Sequence, residues 1–325
     1  MDIDDRAGMK ALARDSLARA SYNPQKMLMI HTGATLILSL LVLVANELLN
    51  QQMNHAGGLS GMGTRAILGT IQSVLQFGQL VALPFWQMGY LYVTIRIARR
   101  QVYDLQDLFE GFRCFGPVLR LTLLQTLLFA GLAVLGSNIG SVIFLFTPWA
   151  KPMLEAILPS MMGNNTLSEE AFLAATEAVQ VPLVITMAIC FLALAAPFVY
   201  RYRMAQFYLM ENPQKGALAA LRHSTEMTKY LRFSLFRLDL SFWYFYVLDL
   251  LVSVLVYVDV ILSALGIAMP WSATTMYYIA FFLYAGGQLA LYWWKRNLVG
   301  VTLAHMYMLL NDTEEPEPPK KTWNY

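Results

Sequence analysis

The chain has 325 residues, of which 57% are apolar and 14% are charged, and its formal net charge is +2. Soluble domains average about 45–50% apolar and about 25% charged residues, so this composition predicts a membrane protein. A net charge of +2 is too small, and too unevenly distributed along the chain, for a nucleic-acid-binding surface, so no nucleic-acid partner is expected.

The first 26 residues form a charged arm with an apolar stripe. The stripe recurs at helical spacing and predicts an amphipathic helix on the cytoplasmic surface of the membrane. Its members are Met9, Leu12, Ala13, Leu17 and Ala20.

Six apolar stretches follow the arm, each long enough to cross a hydrocarbon core of about 30 Å as a helix of about 20 residues. They lie at 27–49, 67–97, 118–146, 181–204, 238–265 and 272–291. The predicted fold class is therefore all-α, a polytopic membrane helix bundle with six transmembrane helices in three hairpins. We divide the chain into a cytoplasmic amphipathic arm (1–26), a six-helix transmembrane domain (27–310) and a cytoplasmic polar tail (311–325).

Positive charge sets the expected orientation of these helices. All but two of the 23 Lys and Arg residues lie in four segments between the apolar stretches, and the exceptions are Arg65 and Lys151. Lys and Arg near short loops resist translocation, so these segments are expected in the cytoplasm together with the N and C termini. Their expected partner is the anionic inner leaflet of the bilayer.

Two further cytoplasmic segments are predicted to form amphipathic surface helices. The first has its apolar stripe at Leu105, Leu108, Phe109, Phe112 and Phe115. The second begins with Asn212 as N-cap and Pro213 at the first helical position, and its stripe runs through Leu218, Leu221, Thr228 and Leu231.

One acid, Asp249, is predicted near the middle of the bilayer, about 16 Å along a fifth helix that starts at 238. An ionised acid at that depth costs about 2.5–3.5 kcal/mol, so it should face the bundle interior. Its candidate partners are Tyr246, one turn away, and Gln79 or Gln125. The group is either a proton or cation relay, or a neutral carboxyl that fixes helix register. No second acid is predicted at the same depth, which favours the neutral carboxyl that fixes helix register over a relay.

Patterns typical of catalysis and cofactor binding are missing from the sequence. The four histidines are far apart, and the two cysteines, Cys114 and Cys190, are too few for a structural zinc site. The chain contains no phosphate-binding glycine loop and no dinucleotide fingerprint. We therefore expect no metal, no cofactor and no enzymatic activity.

A set of aromatic and basic residues at the end of the fourth apolar stretch forms a recognisable pattern. The segments 196–205 (APFVYRYRMA) and 208–213 (YLMENP) are preceded by Gly89 and Gly111 and followed by 241–243 (SFW). This pattern resembles the signature of a family of bacterial integral membrane proteins known as domain of unknown function 975. The resemblance spans roughly residues 84–300 and implies a polytopic protein of the bacterial inner membrane, without implying catalytic residues.

Two hypotheses for the function follow. The first is a non-enzymatic scaffold, accessory or membrane-organising component that acts through its amphipathic helices on a membrane-protein partner or a second copy of itself. The alternative is a transporter or permease for a small solute, with a polar site around Asp249 and prolines inside the second and fourth apolar stretches.

Overall fold

The computed structural model describes residues 5–55, 61–155, 169–258, 262 and 272–312. Throughout this part of the chain the regular structure is helical, so the all-α class is confirmed. The helices are α1 (Arg6–Ala18), α2 (Pro24–His55), α3 (Gly61–Ala98), α4 (Glu110–Arg113), α5 (Phe115–Leu145), α6 (Glu169–Arg201), α7 (Ala205–Glu211), α8 (Gly216–Met227), α9 (Arg232–Leu240), α10 (Trp243–Val254), α11 (Ala273–Leu291) and α12 (Asn297–Asp312). A short π-helix, Tyr292–Arg296, joins α11 to α12.

Four of these helical stretches are long and apolar enough to cross a membrane: Pro24–His55, Met62–Ala98, Phe115–Leu145 and Val179–Glu211. A fifth is added if α9 and α10, which are bent by 69° at their junction, count as one span. By length and composition the chain is therefore a multi-pass membrane protein. The sixth predicted span corresponds to α11, whose 19 residues cover about 28 Å. Helix α11 is not among the helices that are both long and apolar enough, so a sixth span stays a prediction.

The chain divides into two compact units, Met1–Arg120 with Met204–Tyr325, and Leu121–Arg203. In the second unit α5 and α6 pack antiparallel through two glycines of α5. A Cβ at Gly136 would lie 2.7 Å from the Cα of Phe191, and one at Gly140 would lie 2.6 Å from the Cα of Met187. Two glycines four residues apart thus let the two backbones approach closely, as in small-xxx-small packing of membrane helices.

In the first unit the N-terminal arm packs against the rest of the unit. Helix α1 buries Met9, Ala13 and Ser16 against α3 and α12. Ser16 pairs with His305 of α12 at 3.0 Å, and the Lys10 ammonium donates to the carbonyl oxygen of Ser241 at 2.8 Å. The apolar stripe of α1 thus forms intramolecular contacts.

The second predicted surface helix is instead an elbow at 105–113, built from a 3-10 turn and the single-turn helix α4. The elbow lies directly on α3, where a Cβ at Gly89 would be 1.8 Å from the Leu108 carbonyl oxygen. A Cβ at Gly111 would be 2.0 Å from the Phe85 carbonyl oxygen. This close backbone approach requires glycine at both positions. It also explains why Leu108 is buried while the rest of the stripe is exposed.

The third predicted surface helix begins later and buries a different face. Asn212 makes no side-chain capping bond, Pro213 lies in a 3-10 turn, and α8 begins at Gly216, whose φ is +82°. Small residues and Met227 are buried along α8, whereas Leu218 is 72% exposed. The predicted stripe is therefore wrong at Leu218, whereas Thr228 is buried and Leu221 and Leu231 are half-buried. The most deeply buried positions of α8, which packs on α7, are mainly small residues.

Residues 266–270, between the last two predicted spans, and most of the polar tail, residues 313–325, lie outside the described residues. Both prolines noted in the sequence, Pro84 and Pro197, lie inside continuous helices.

Candidate functional site

A polar cavity of about 190 Å³ lies in the first unit, between α2, α3, α11 and the π-helix. This volume corresponds to roughly six water molecules at about 30 Å³ each. One part of its wall is apolar, with Leu28, Leu36, Leu83 and Trp86. The remaining lining residues carry polar groups and are His31, Thr32, Thr35, Gln87, Tyr284, Gln288, Tyr292 and Arg296.

Helical spacing brings half of these polar residues to one wall. Tyr284, Gln288, Tyr292 and Arg296 are each four residues apart on the continuous helical path from α11 through the π-helix, so they share one face. A π-helical turn inside an α-helix is rare and is frequent at functional sites.

Three buried polar atoms of the cavity lining have no hydrogen-bond partner among the residues that the structure describes: His31 Nε2, Thr32 Oγ1 and Gln288 Oε1. Thr32 and Gln288 are each only 4% exposed. A buried polar group without a partner costs about 1–3 kcal/mol, so native proteins rarely leave one unexplained. Here three occur around one cavity.

Neighbouring polar groups on the same walls are paired. The Thr35 hydroxyl donates to the carbonyl oxygen of His31 at 2.9 Å, and the Trp86 indole N–H donates to the same oxygen at 3.0 Å. The His31 ring also stacks on Trp86, with the ring centroids 5.5 Å apart. These contacts hold the His31 ring in place, so the position of its unpartnered nitrogen is set by packing.

Asp249 lies behind the cavity wall and fixes one of its groups. The Gln288 Nε2 donates to Asp249 Oδ1 at 3.0 Å, and Tyr292 interacts with the same carboxyl. The bond runs from the Gln288 nitrogen to Asp249, which is the arrangement that an ionised carboxylate requires because it only accepts hydrogen bonds. The Gln288 oxygen is then the atom left for the cavity.

The partners predicted for Asp249 have other bonds of their own. The Tyr246 hydroxyl donates to Asp239 at 3.1 Å, and the Gln79 amide donates to Ser39 at 3.1 Å. Gln125 belongs to the second unit. Asp249 accepts from Gln288 instead, and its grouping with the three predicted partners stays a prediction.

The bend between α9 and α10 also corrects the predicted depth of Asp249. A helix running without interruption from 238 is wrong, because α9 ends at Leu240 and α10 begins at Trp243 after a bend of 69°. Asp249 is therefore about 9 Å along its helix instead of about 16 Å. Asp249 therefore lies nearer the N-terminal end of α10, which follows the segment that the sequence predicts to be cytoplasmic.

Arg296 is the cationic residue of the cavity lining. Its guanidinium lies 5.1 Å from the centre of the Tyr292 ring. Within the described part of the chain, no Asp or Glu forms an ion pair with it. Together with the unpartnered polar atoms, this cation gives the cavity a capacity for polar binding that the protein itself does not use.

A second concave region has charged groups that pair with one another, although Arg96 Nε and Glu211 Oε1 make no hydrogen bond among the described residues. This groove lies between the C-terminal ends of α3, α7 and α12 and is lined by Arg96, Arg99 and Glu211, among others. Arg99 pairs with Glu211 at 2.6 Å, and the Tyr307 hydroxyl donates to Glu211 at 2.8 Å. Burial, followed by the Glu211 carboxylate, raises the pKa of Tyr307. The groove therefore reads as a structural ion-pair network.

Sequence reasoning missed Thr32, Gln288, Tyr292 and Arg296. The signal that could have found the last three is their spacing of four residues from Tyr284, which places a glutamine and an arginine on the face of an otherwise apolar helix. No group of three or more His, Cys, Asp or Glu side chains among the described residues could hold a metal ion.

Comparison with protein families matches residues 1–284 to a family described as protein of unknown function (DUF975). No curated protein and no solved structure matches the chain.

Proposed function

We propose that this chain, which belongs to the family described as protein of unknown function (DUF975), binds a small polar solute among its membrane helices. It acts there as a permease or as a solute-binding component. The observation that carries this proposal is the cluster of three unpartnered buried polar atoms around one cavity. A solute that bonds to His31, Thr32 and Gln288 would offset the cost of burying them.

The helix geometry supports solute transport in particular. Transporters commonly hold their substrates where membrane helices are interrupted. Two interruptions adjoin the cavity wall here, namely the bend before α10, which carries Asp249, and the π-helix that carries Tyr292 and Arg296. We propose binding and transport and no enzymatic activity, with neither a metal nor a cofactor.

The packing of α1 lowers the rank of the scaffold hypothesis. A scaffold acting through surface helices needs free apolar faces, but Met9 and Ala13 of α1 are buried inside the first unit. A membrane-organising role is favoured instead at the elbow, where Phe109, Phe112 and Phe115 are exposed beside Arg113. Replacing the three phenylalanines by serine should weaken association of the protein with anionic lipid if this second role operates; unchanged association would exclude it.

The solute-binding proposal is tested by thermal unfolding of the full chain in lipid nanodiscs against a panel of small polar solutes. A ligand that binds only the folded state at 100 times its Kd stabilises by about 2.7 kcal/mol, so a binding solute should raise the unfolding temperature measurably. Thr32→Val should reduce the shift to about half, because binding about 10-fold weaker leaves about 1.4 kcal/mol at the same solute concentration. A panel of hydroxy acids, amino acids, polyols and amides that gives no shift would contradict the proposal.

We also propose the orientation that positive charge predicts: six spans in three hairpins in the bacterial cytoplasmic membrane, with both termini in the cytoplasm, where the basic segments contact the anionic inner leaflet. Single cysteines at Arg113 and Lys215, introduced after Cys114 and Cys190 are replaced by serine, should react with an impermeant thiol reagent only after the membrane is opened. Labelling of either position in intact cells would exclude this orientation.

A further inference from the structure

We infer that the solute is a small monocarboxylate that also carries a hydroxyl or ammonium group. This inference rests on the proposed solute site and adds the chemical class of the ligand. It follows from four properties of the cavity: its cation, the orientation of one amide, its net charge and its size.

The cation selects an anionic group on the ligand. Arg296 lines the cavity, and the described acids form no ion pair with it. A guanidinium presents a planar fork of donors that matches a carboxylate through two parallel hydrogen bonds. The packing of Arg296 over the Tyr292 ring favours a fixed plane for that fork.

The amide selects a donor on the same ligand. Because Asp249 accepts from the Gln288 nitrogen at 3.0 Å, the unpartnered Gln288 oxygen is an acceptor that needs a donor from the cavity. Aliphatic acids lack such a donor, whereas hydroxy acids and amino acids have one. Asp249 is thus a positioning residue that holds the amide in this orientation.

The balance of charge favours a single carboxylate over a dianion such as phosphate. The titratable groups around the cavity are His31, Tyr284, Tyr292 and Arg296, with Asp249 directly behind Gln288. Arg296 and an ionised Asp249 together carry no net charge, so one bound carboxylate brings the site to −1 and a dianion brings it to −2. The second negative charge inside the helix bundle is the costlier one in a medium of low polarity.

The size of the cavity and its remaining polar atoms fit this class. A volume of about 190 Å³, roughly six waters, suits a compact acid such as lactate or alanine. The Thr32 hydroxyl and the His31 nitrogen then lie on α2, where they can bond to the second carboxylate oxygen or to the hydroxyl of the ligand.

The test compares three probes that share one carbon skeleton, by isothermal titration of the full chain in nanodiscs of neutral lipid. L-lactate has both groups, propionate lacks the hydroxyl, and propane-1,2-diol lacks the carboxylate. We expect L-lactate to bind about 10-fold more tightly than propionate, because propionate lacks one hydrogen bond. The difference between L-lactate and the diol should be larger than about 10-fold, because the diol lacks the carboxylate that pairs with Arg296. L-alanine should bind in the range of L-lactate.

Two variants assign these preferences to residues. Arg296→Gln should weaken L-lactate binding by about 10-fold to 100-fold and leave the diol unchanged, with partial recovery in Arg296→Lys. Gln288→Leu should reduce L-lactate to the level of propionate. Arg222→Gln is the matched control, because the Arg222 side chain is 83% exposed and lies outside the cavity. It should bind as the wild type does.

The outcomes separate this inference from the proposed function. If the diol binds as tightly as L-lactate, or if Arg296→Gln binds L-lactate normally, the carboxylate class is overturned while a polar solute site survives. If the four probes and the wider panel of polar solutes all fail to bind the folded wild type, the solute site itself is overturned. Tight L-lactate binding that disappears in Arg296→Gln supports both.

Discussion

Acidification should release the N-terminal helix α1 from the first unit. His305 is 6% exposed and pairs with Ser16 of α1, and burial, followed by the nearby positive charge of Arg100, lowers its pKa from 6.5 to about 4. Because the pKa in the docked state lies below that of the free group, the undocked state binds the additional proton. The stabilisation is therefore complete above about pH 6.5 and is lost as the pH falls towards about 4.

The size of this effect follows from the pKa difference. A shift of about 2.5 units, at about 1.4 kcal/mol per unit, gives at most about 3 kcal/mol. At pH 5 the loss is about 2 kcal/mol, which enlarges the undocked population roughly 30-fold. Both figures assume that undocking exposes the His305 ring fully to solvent.

Amide hydrogen exchange of residues 9–17, corrected for the intrinsic effect of pH on exchange, measures this population directly. Between pH 7 and pH 5, protection of α1 should fall roughly 20-fold in the wild type, because a small part of the effect is already present at pH 7. The core of α5 should keep its protection. His305→Gln retains a polar side chain that does not titrate, and its protection should not vary with pH. Equal pH dependence in wild type and His305→Gln would refute the reasoning.

Three further predictions concern close backbone contacts and the cavity. Gly89→Ala should destabilise the protein by about 3 kcal/mol or more in thermal unfolding, because its Cβ would lie 1.8 Å from a carbonyl oxygen, whereas Gly78→Ala, whose Cβ meets nothing within 4 Å, should be nearly neutral. Gly140→Ala should loosen the α5–α6 pair by about 1–3 kcal/mol, seen as faster exchange in the second unit; unchanged exchange would count against direct backbone packing. Thr32→Val should leave the free energy of unfolding of the ligand-free protein unchanged or raise it, because it removes an unpartnered hydroxyl. Thr35→Val should lower that free energy by about 1 kcal/mol, because it removes a paired hydroxyl. A larger loss in Thr32→Val than in Thr35→Val would contradict the pairing described above.

The sequence predicted the long helices because hydropathy over a membrane-length window is a strong and local signal. The first four predicted spans match α2, α3, α5 and α6 in position. Hydropathy does not report a break between two apolar stretches, so it missed the bend between α9 and α10. That bend carries no proline or glycine in residues 238–243 to mark it.

Surface helices were predicted less well, for a different reason. An apolar stripe predicts which side of a helix is buried by a large apolar neighbour. Helix α8 packs on α7 and buries mainly small residues, among them Ala217 and Ala220. At the elbow the backbone itself is the packing surface, at Gly89 and Gly111. Glycine marks such contacts only when the opposing segment is known.

The candidate site shows the same limit of sequence reasoning. The sequence identified Asp249 as a costly buried acid, and the structure places it at the back of a polar cavity wall. Its partner Gln288 is 39 residues away on another helix. Helical spacing predicts which residues share a face, but which faces meet depends on packing between helices, so the partner could not be assigned.

The most direct test of the central claim is the binding of a polar solute to the full chain compared with the double variant Thr32→Val, Gln288→Leu. The two substitutions remove two of the three unpartnered atoms and keep the volume of the side chains nearly constant. Isothermal titration in nanodiscs should show a solute of the panel that binds the wild type and binds the folded double variant at least about 10-fold more weakly. Equal binding by both proteins would show that the cavity is not the solute site.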